Sequence, residues 1–178
     1  MNTPAVSFSP LARLLHWIMA AMILVMLFIG VGMTSTVSEK HQWLITIHKP
    51  LGIAILVLAV VRLVVRLRRR PPPLPADLPG WQRFAALASH WLLYTLMLAI
   101  PLIGWAMLSA GDYPLTIAGA GRLPAILPAN SALFAWLREA HRYLAYLLFL
   151  TFLVHLAAAL YHGLIRRDNV LTSMLGRR

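Results

Sequence analysis

The chain contains no cysteine. Disulfides, thiolate metal sites and covalent thioether attachment of a cofactor are therefore excluded. Carboxylates are almost as scarce, five against sixteen Lys and Arg. None of the five falls within an apolar stretch, so a bare zinc or copper ion would lack the three or four donors it needs there. Charged residues make up only 12% of the 178 positions, against 60% hydrophobic. That is too oily for an ordinary water-soluble domain and reads as an integral membrane protein.

What is present in quantity is apolar sequence, in four runs that each approach the roughly 20 residues a bilayer-spanning helix requires. They cover about 14–33, 43–65, 89–109 and 141–165. The first is followed by MTSTVSEK with no small-residue cleavage site, so it is expected to be a mature helix rather than a signal peptide. The connecting segments are too short to fold alone, and the expectation is a single all-α transmembrane domain over residues 1–178. The long connection near 110–137, rich in glycine and proline, is expected to pack on one mouth of the bundle, with room for a short interfacial helix. The PPPLP run reads as a stiff connector.

The cations are unevenly distributed. Arg13, Arg62, Arg66, Arg68, Arg69, Arg70, Arg83, Arg166, Arg167, Arg177 and Arg178 fall to one side of the four spans, and Lys40, Lys49, Arg122, Arg138 and Arg142 to the other. Positive charge accumulates on the cytoplasmic side of membrane proteins. Both termini and the RLRRRPPPLPADLP loop are thus expected in the cytoplasm. The net charge of +11 flanks helix ends, where anionic lipid headgroups explain it without nucleic acid.

Ionisable side chains within spans are costly, and six of the seven histidines occur in or beside them. In the fourth span His141, His155 and His162 are separated by fourteen and seven residues, close to whole numbers of helical turns, so they share one stripe. Leu148 occupies the intermediate heptad position, so the stripe selects depth as well as face. Counting at about 1.5 Å per residue from the span ends puts His48 with His141 at one level, His16 with His155 at a second, and His90 with His162 in a third near the cytoplasmic headgroups. Two facing imidazoles without carboxylates suit a metal that brings its own equatorial nitrogens, which is haem. Gly30, Gly32, Gly52, Gly104 and Ala157 to Ala159 offer room for a flat macrocycle, although small residues also serve helix packing. With both axial positions filled, electron transfer rather than oxygen activation is the expected chemistry. His90 and His162 are weaker haem candidates: there imidazoles can donate to a quinone carbonyl and pass protons, or simply snorkel as an interfacial pair.

Taken in order, SPLARLLHW, ITIHKPLGIAILVLAVVRLVVRL, SHWLLYTLMLAIPLIGWAM and REAHRYLAYLLFLTFLVHLAAALYHGLIRRDNVLTSML resemble the bacterial cytochrome b561 family over nearly the whole chain. The resemblance implies a four-transmembrane-helix bundle of the inner membrane enclosing two b-type haems. It makes His16 and His155 the axial ligands of the inner haem and His48 and His141 those of the outer haem. It also implies ubiquinone near the cytoplasmic face at His90 and His162, with Arg166 to Asn169 close by. Arg167 stands where a family member carries lysine, which keeps the cation but changes its proton chemistry. Superoxide is the implied outer donor, and the outer segments hold five cations against Glu39, Asp112 and Glu139, a balance that favours an anion. Two other readings are a cytochrome b subunit relaying electrons between a partner dehydrogenase and quinone, and a metal or proton transporter with histidines as its path. Haem would make the purified protein red; the transporter reading predicts a colourless one.

The charge distribution yields a direct test of topology. Reporter fusions after Arg70 and after Ala120 should report opposite sides of the membrane, with the Arg70 fusion cytoplasmic. A periplasmic Arg70 reporter would invert the levels and move the quinone site with them.

Overall fold

The structure, a computed structural model, describes residues 7–69, 71–117 and 121–176. Arg70, Arg177 and Arg178 among the cations counted above, and Gly119 and Ala120 of the long connection, lie outside the described residues. Among the described residues four helices are long and apolar enough to cross a membrane. They are α1 (Pro10–Ser35), α2 (Glu39–Arg68), α3 (Gly80–Ala110) and α4 (Ser131–Leu160). From α4 the chain passes directly into a π-helical turn, Tyr161–Arg166, and then into a short α5, Asn169–Leu175.

The spanning helices run further than their apolar runs, and at the starts of α1 and α4 a capping side chain marks the end. At α1 the Ser9 side chain accepts a hydrogen bond from Ala12 N at 3.3 Å, and Pro10 pre-sets the first turn. At α4 the Asn130 side chain accepts from Leu133 N at 2.9 Å. That helix begins at Ser131, so His141 lies ten residues inside it and not at its tip. The stretch up to Leu137 thus belongs to α4 and not to the connection. No separate interfacial helix appears among the described residues of that connection; instead Thr116–Ile117 pairs antiparallel with Gly121–Arg122.

Two distinct contact clusters join the helices. Met19 and Ile23 of α1, Ile55 and Ala59 of α2, and Tyr94 and Met97 of α3 form one. Leu96 and Ile100 of α3 with Leu148 of α4 form the other. Accordingly α1 packs along α2, α2 along α3, and α3 along α4, whereas α4 makes no extended contact with α1 or α2. The backbones stand apart along that flank. Large apolar side chains face outward, Phe28 being 70% exposed and Val154 57%, which suits contact with lipid chains.

At the end bearing the termini, the chain folds back on itself. Trp17 Nε1 donates to Met174 O at 3.1 Å, and Phe8 N donates to Ser173 O at 3.3 Å. This docks α5 beneath α1. Gly163 permits the approach, because a Cβ there would collide with the Leu171 side chain. Arg167, in the left-handed region at φ 52°, turns the chain from the π-helical segment into α5. Neither the π-helical turn nor α5 was expected from the sequence.

Candidate functional site

The flank where α4 stands clear of α1 and α2 is also where histidines face one another. His141 of α4 and His48 of α2 have ring centroids 6.1 Å apart, with planes at 65°. His155 of α4 and His16 of α1 are 6.4 Å apart at 68°. The two α4 residues are fourteen positions apart, or about 21 Å along the helix axis. The two helices that avoid packing against α4 thus each present an imidazole to it.

Polar bookkeeping marks the same residues. His48 Nδ1 and His16 Nδ1 are buried and have no hydrogen-bond partner among the chain atoms. Such groups are uncommon in folded proteins and call for a partner outside the chain. His141 is oriented differently: its Nδ1 lies 3.1 Å from Ile100 O. Donation to that carbonyl leaves Nε2 as the nitrogen available to a metal. Gly104, one turn beyond Ile100, is pressed against the same ring. A Cβ there would lie 3.1 Å from His141 Cε1. Of the small residues expected to make room, Gly104 therefore seats the His141 ring, Gly32 instead meets Leu44, and nothing in the protein lies within 4 Å of a Cβ at Gly30.

These distances provide a test of fit. With metal–imidazole bonds of about 2.0 Å and roughly 1.1 Å from nitrogen to ring centre, two axial imidazoles on one metal put their centroids about 6 Å apart. Both pairs match that span. No group of three or more His, Cys, Asp or Glu capable of holding a bare ion occurs among the described residues. The donor set therefore fits haem and not zinc or copper.

Below the His16–His155 pair a cavity of about 1360 Å³ opens toward the end bearing the termini. It exceeds the ~300–1,000 Å³ of ordinary small-molecule pockets and has room for a macrocycle and a second ligand. His16, His90, His155 and His162 all line it. The third level, however, is not a pair. His90 lies against His155, with centroids 5.3 Å apart, and its Nδ1 is 2.5 Å from Ala86 O. His162 is held elsewhere: its Nδ1 is 2.5 Å from Asp168 Oδ2. Counting depth from span ends could not separate these two, because α3 begins well before its apolar run and His162 sits in the π-helical turn.

Several residues around the cavity were not singled out from the sequence. Asp168 caps α5 through Val170 N at 3.0 Å, accepts from His162, and meets Arg166 Nε at 3.0 Å. Arg166 also pairs with Asp77 of the proline-rich connection. Asp168 was legible only as part of RRDN. Arg62 and Arg66 were counted merely as flanking charges, yet both line the cavity.

The profile of the family described as prokaryotic cytochrome b561 matches residues 7–177. The chain is similar to cytochrome b561 homolog 1 of Escherichia coli, at 30% identity covering 96% of this chain and 98% of that protein. It is similar to cytochrome b561 homolog 2 of the same organism, at 31% identity over 99% and 94%. A probable superoxide oxidase, CybB, of Yersinia pestis is 29% identical over 92% and 93%.

The contact between Gly104 and His141 gives a test that does not remove a ligand. Replacing Gly104 with Val should push the His141 ring out of line with His48 and lower haem absorbance per chain. Replacing Gly80, beside which nothing lies within 4 Å, with Ala should leave it unchanged. Equal absorbance in both variants would mean that the close approach does not seat the ring.

Proposed function

The chain belongs to the prokaryotic cytochrome b561 family of membrane electron-transfer proteins, and from that premise we propose that it carries electrons from superoxide, at the end bearing the β-ribbon, to ubiquinone at the end bearing the termini. The observation that carries this reading is the two histidine pairs, each near 6 Å, set at different depths on the flank where α4 stands clear of its neighbours. His48 and His141 would hold one b-type haem, and His16 and His155 a second. Bound haem supplies one-electron redox chemistry. With two histidines to hold each haem, the chain would leave the iron no position for oxygen.

The orientation follows from charge: the end holding the termini and most arginines faces the cytoplasm of a bacterial inner membrane. The opposite end carries five cations against three carboxylates, with Arg142 already paired to Glu139. A modest positive surplus remains to attract an anionic donor. The probable superoxide oxidase among the relatives supports the choice of superoxide. Two superoxide anions each lose one electron and leave as dioxygen; one quinone gains two electrons and two protons and leaves as quinol.

The protons are the task of the cavity at the cytoplasmic end. His162 donates Nδ1–H to Asp168, and when Nε2 also carries a proton that second N–H can be given to a quinone carbonyl. His90 donates Nδ1–H to Ala86 O, so its Nε2 is an acceptor, suited to the hydroxyl of a quinol. A proton given up at Nε2 of His162 leaves the neutral ring held at Nδ1 by Asp168, which Arg166 in turn fixes beside Asp77, and Nε2 is reprotonated through the cavity that opens at the cytoplasmic end.

Replacing His162 with Gln, or Asp168 with Asn, should preserve the haem spectrum and reduction by superoxide while slowing reoxidation by quinone about a hundredfold, the scale of a lost proton-transfer group. Stopped-flow spectroscopy of the purified protein separates the two half-reactions. Loss of haem from the His162 variant would mean that it binds iron. Failure of superoxide to reduce the unaltered protein, with a dehydrogenase co-isolated from native membranes, would favour the subunit reading instead.

A further inference from the structure

Arg62 and Arg66 stand one turn apart on α2, half-buried, both lining the cavity that His16 and His155 share. Like charges at this spacing on a helix repel each other. Both also lean on one side chain, with guanidinium carbons 5.7 and 5.5 Å from the ring centre of Tyr94, itself only 4% exposed. Arg66 lies in addition 5.8 Å from the Trp91 ring. Aromatic faces orient a cation but do not neutralise it.

Among the described residues no side-chain carboxylate meets these arginines. The chain has five carboxylates, all among the described residues. Asp77 and Asp168 are engaged with Arg166 and His162, and Glu139 with Arg142. Glu39 opens α2, at the far end of that helix, and Asp112 follows α3 at the ribbon end. Two half-buried cations at one spot, with no carboxylate among the described residues to meet them, suit a ligand that brings its own negative charge.

Their depth identifies which ligand. His48 and Arg62 are fourteen residues apart on α2, the same stride that separates His141 from His155 on α4. Both helices run in the same direction, and His48 meets His141. Arg62 therefore stands level with His155, and Arg66 lies about 6 Å further toward the cytoplasmic end. Haem carries two propionate carboxylates on one edge, and the guanidinium fork matches a carboxylate in shape and charge. We propose that Arg62 and Arg66, steadied by Tyr94, bind the propionates of the haem held by His16 and His155. This rests on the two-haem reading above. A second consequence is electrostatic: the cations favour the reduced haem, which raises its potential and makes it the electron's resting place before quinone.

The test uses holoprotein carrying haem isotopically labelled at the propionate carboxyls, with redox-difference infrared spectra and potentiometric titration as readouts. In the R62Q/R66Q variant the labelled carboxylate bands should shift for the haem that His16→Ala removes. Its reduction equilibrium should fall about tenfold, roughly 59 mV for a one-electron couple, while the other haem keeps its potential. R62K/R66K should recover most of the potential. If the double variant does not accumulate, R66Q alone must still shift a labelled band. Unchanged bands and potential would overturn the proposal, and a loss of co-purifying phospholipid phosphate in their place would assign the arginines to headgroups. If His16→Ala leaves the haem content at the wild-type level, the two-haem reading fails and not merely the arginine assignment.

Discussion

A ring nitrogen buried in an apolar bundle must find a partner, and the arrangement of this protein follows from how few partners the chain provides. His16 and His48 leave a buried Nδ1 unsatisfied, and Arg62 and Arg66 find no carboxylate among the described residues. Such vacancies would be destabilising in a bundle meant to close on itself. Here they gather on the flank where α4 stands away from α1 and α2. The energy of close helix packing is given up there, while the clusters around Met19 and Tyr94 and around Leu96 and Leu148 hold the rest together. The fold is therefore a scaffold of three tight helix contacts with one flank left for a cofactor.

Much of this was legible in the sequence because the bilayer simplifies the problem. Four apolar runs gave four helices, and the fourteen-residue stride on one stripe placed His141 and His155 on one face. What was not legible depends on ends and on side-chain partners. Helix starts were set by Ser9 and Asn130 through single hydrogen bonds, several residues outside the apolar text. A depth count made from apolar boundaries was accurate enough for residues far apart, yet could not resolve His90 from His162. The π-helical turn is likewise invisible to a periodicity argument, since it changes the angular step itself. It carries His162 to Asp168, and that contact depends on a fold-back of α5 that no local pattern announces.

Charge was the other quantity read too coarsely. Arginines near a span end suggest headgroups and topology, which suffices for Arg68 and Arg69, both exposed. Arg62 and Arg66 differ only in facing inward, a matter of helical phase. The same applies to Asp168, which would pass for a helix cap and is one, but joins His162, Arg166 and α5 in a single network. At the two ends of the bundle, then, similar charges do different work. Those at the ribbon end remain near the surface, while those at the other end reach into the cavity.

The central claim is that the two histidine pairs hold two haems at different depths, and the most direct measurement is the haem-to-protein ratio of the purified chain and of two single-ligand variants. Acidified acetone should extract two haems per wild-type chain, since no cysteine tethers them. Replacing His141 or His155 with Ala should each leave one, and the two remaining haems should differ spectrally. A ratio near one in the unaltered protein, or identical spectra from the two variants, would contradict the account.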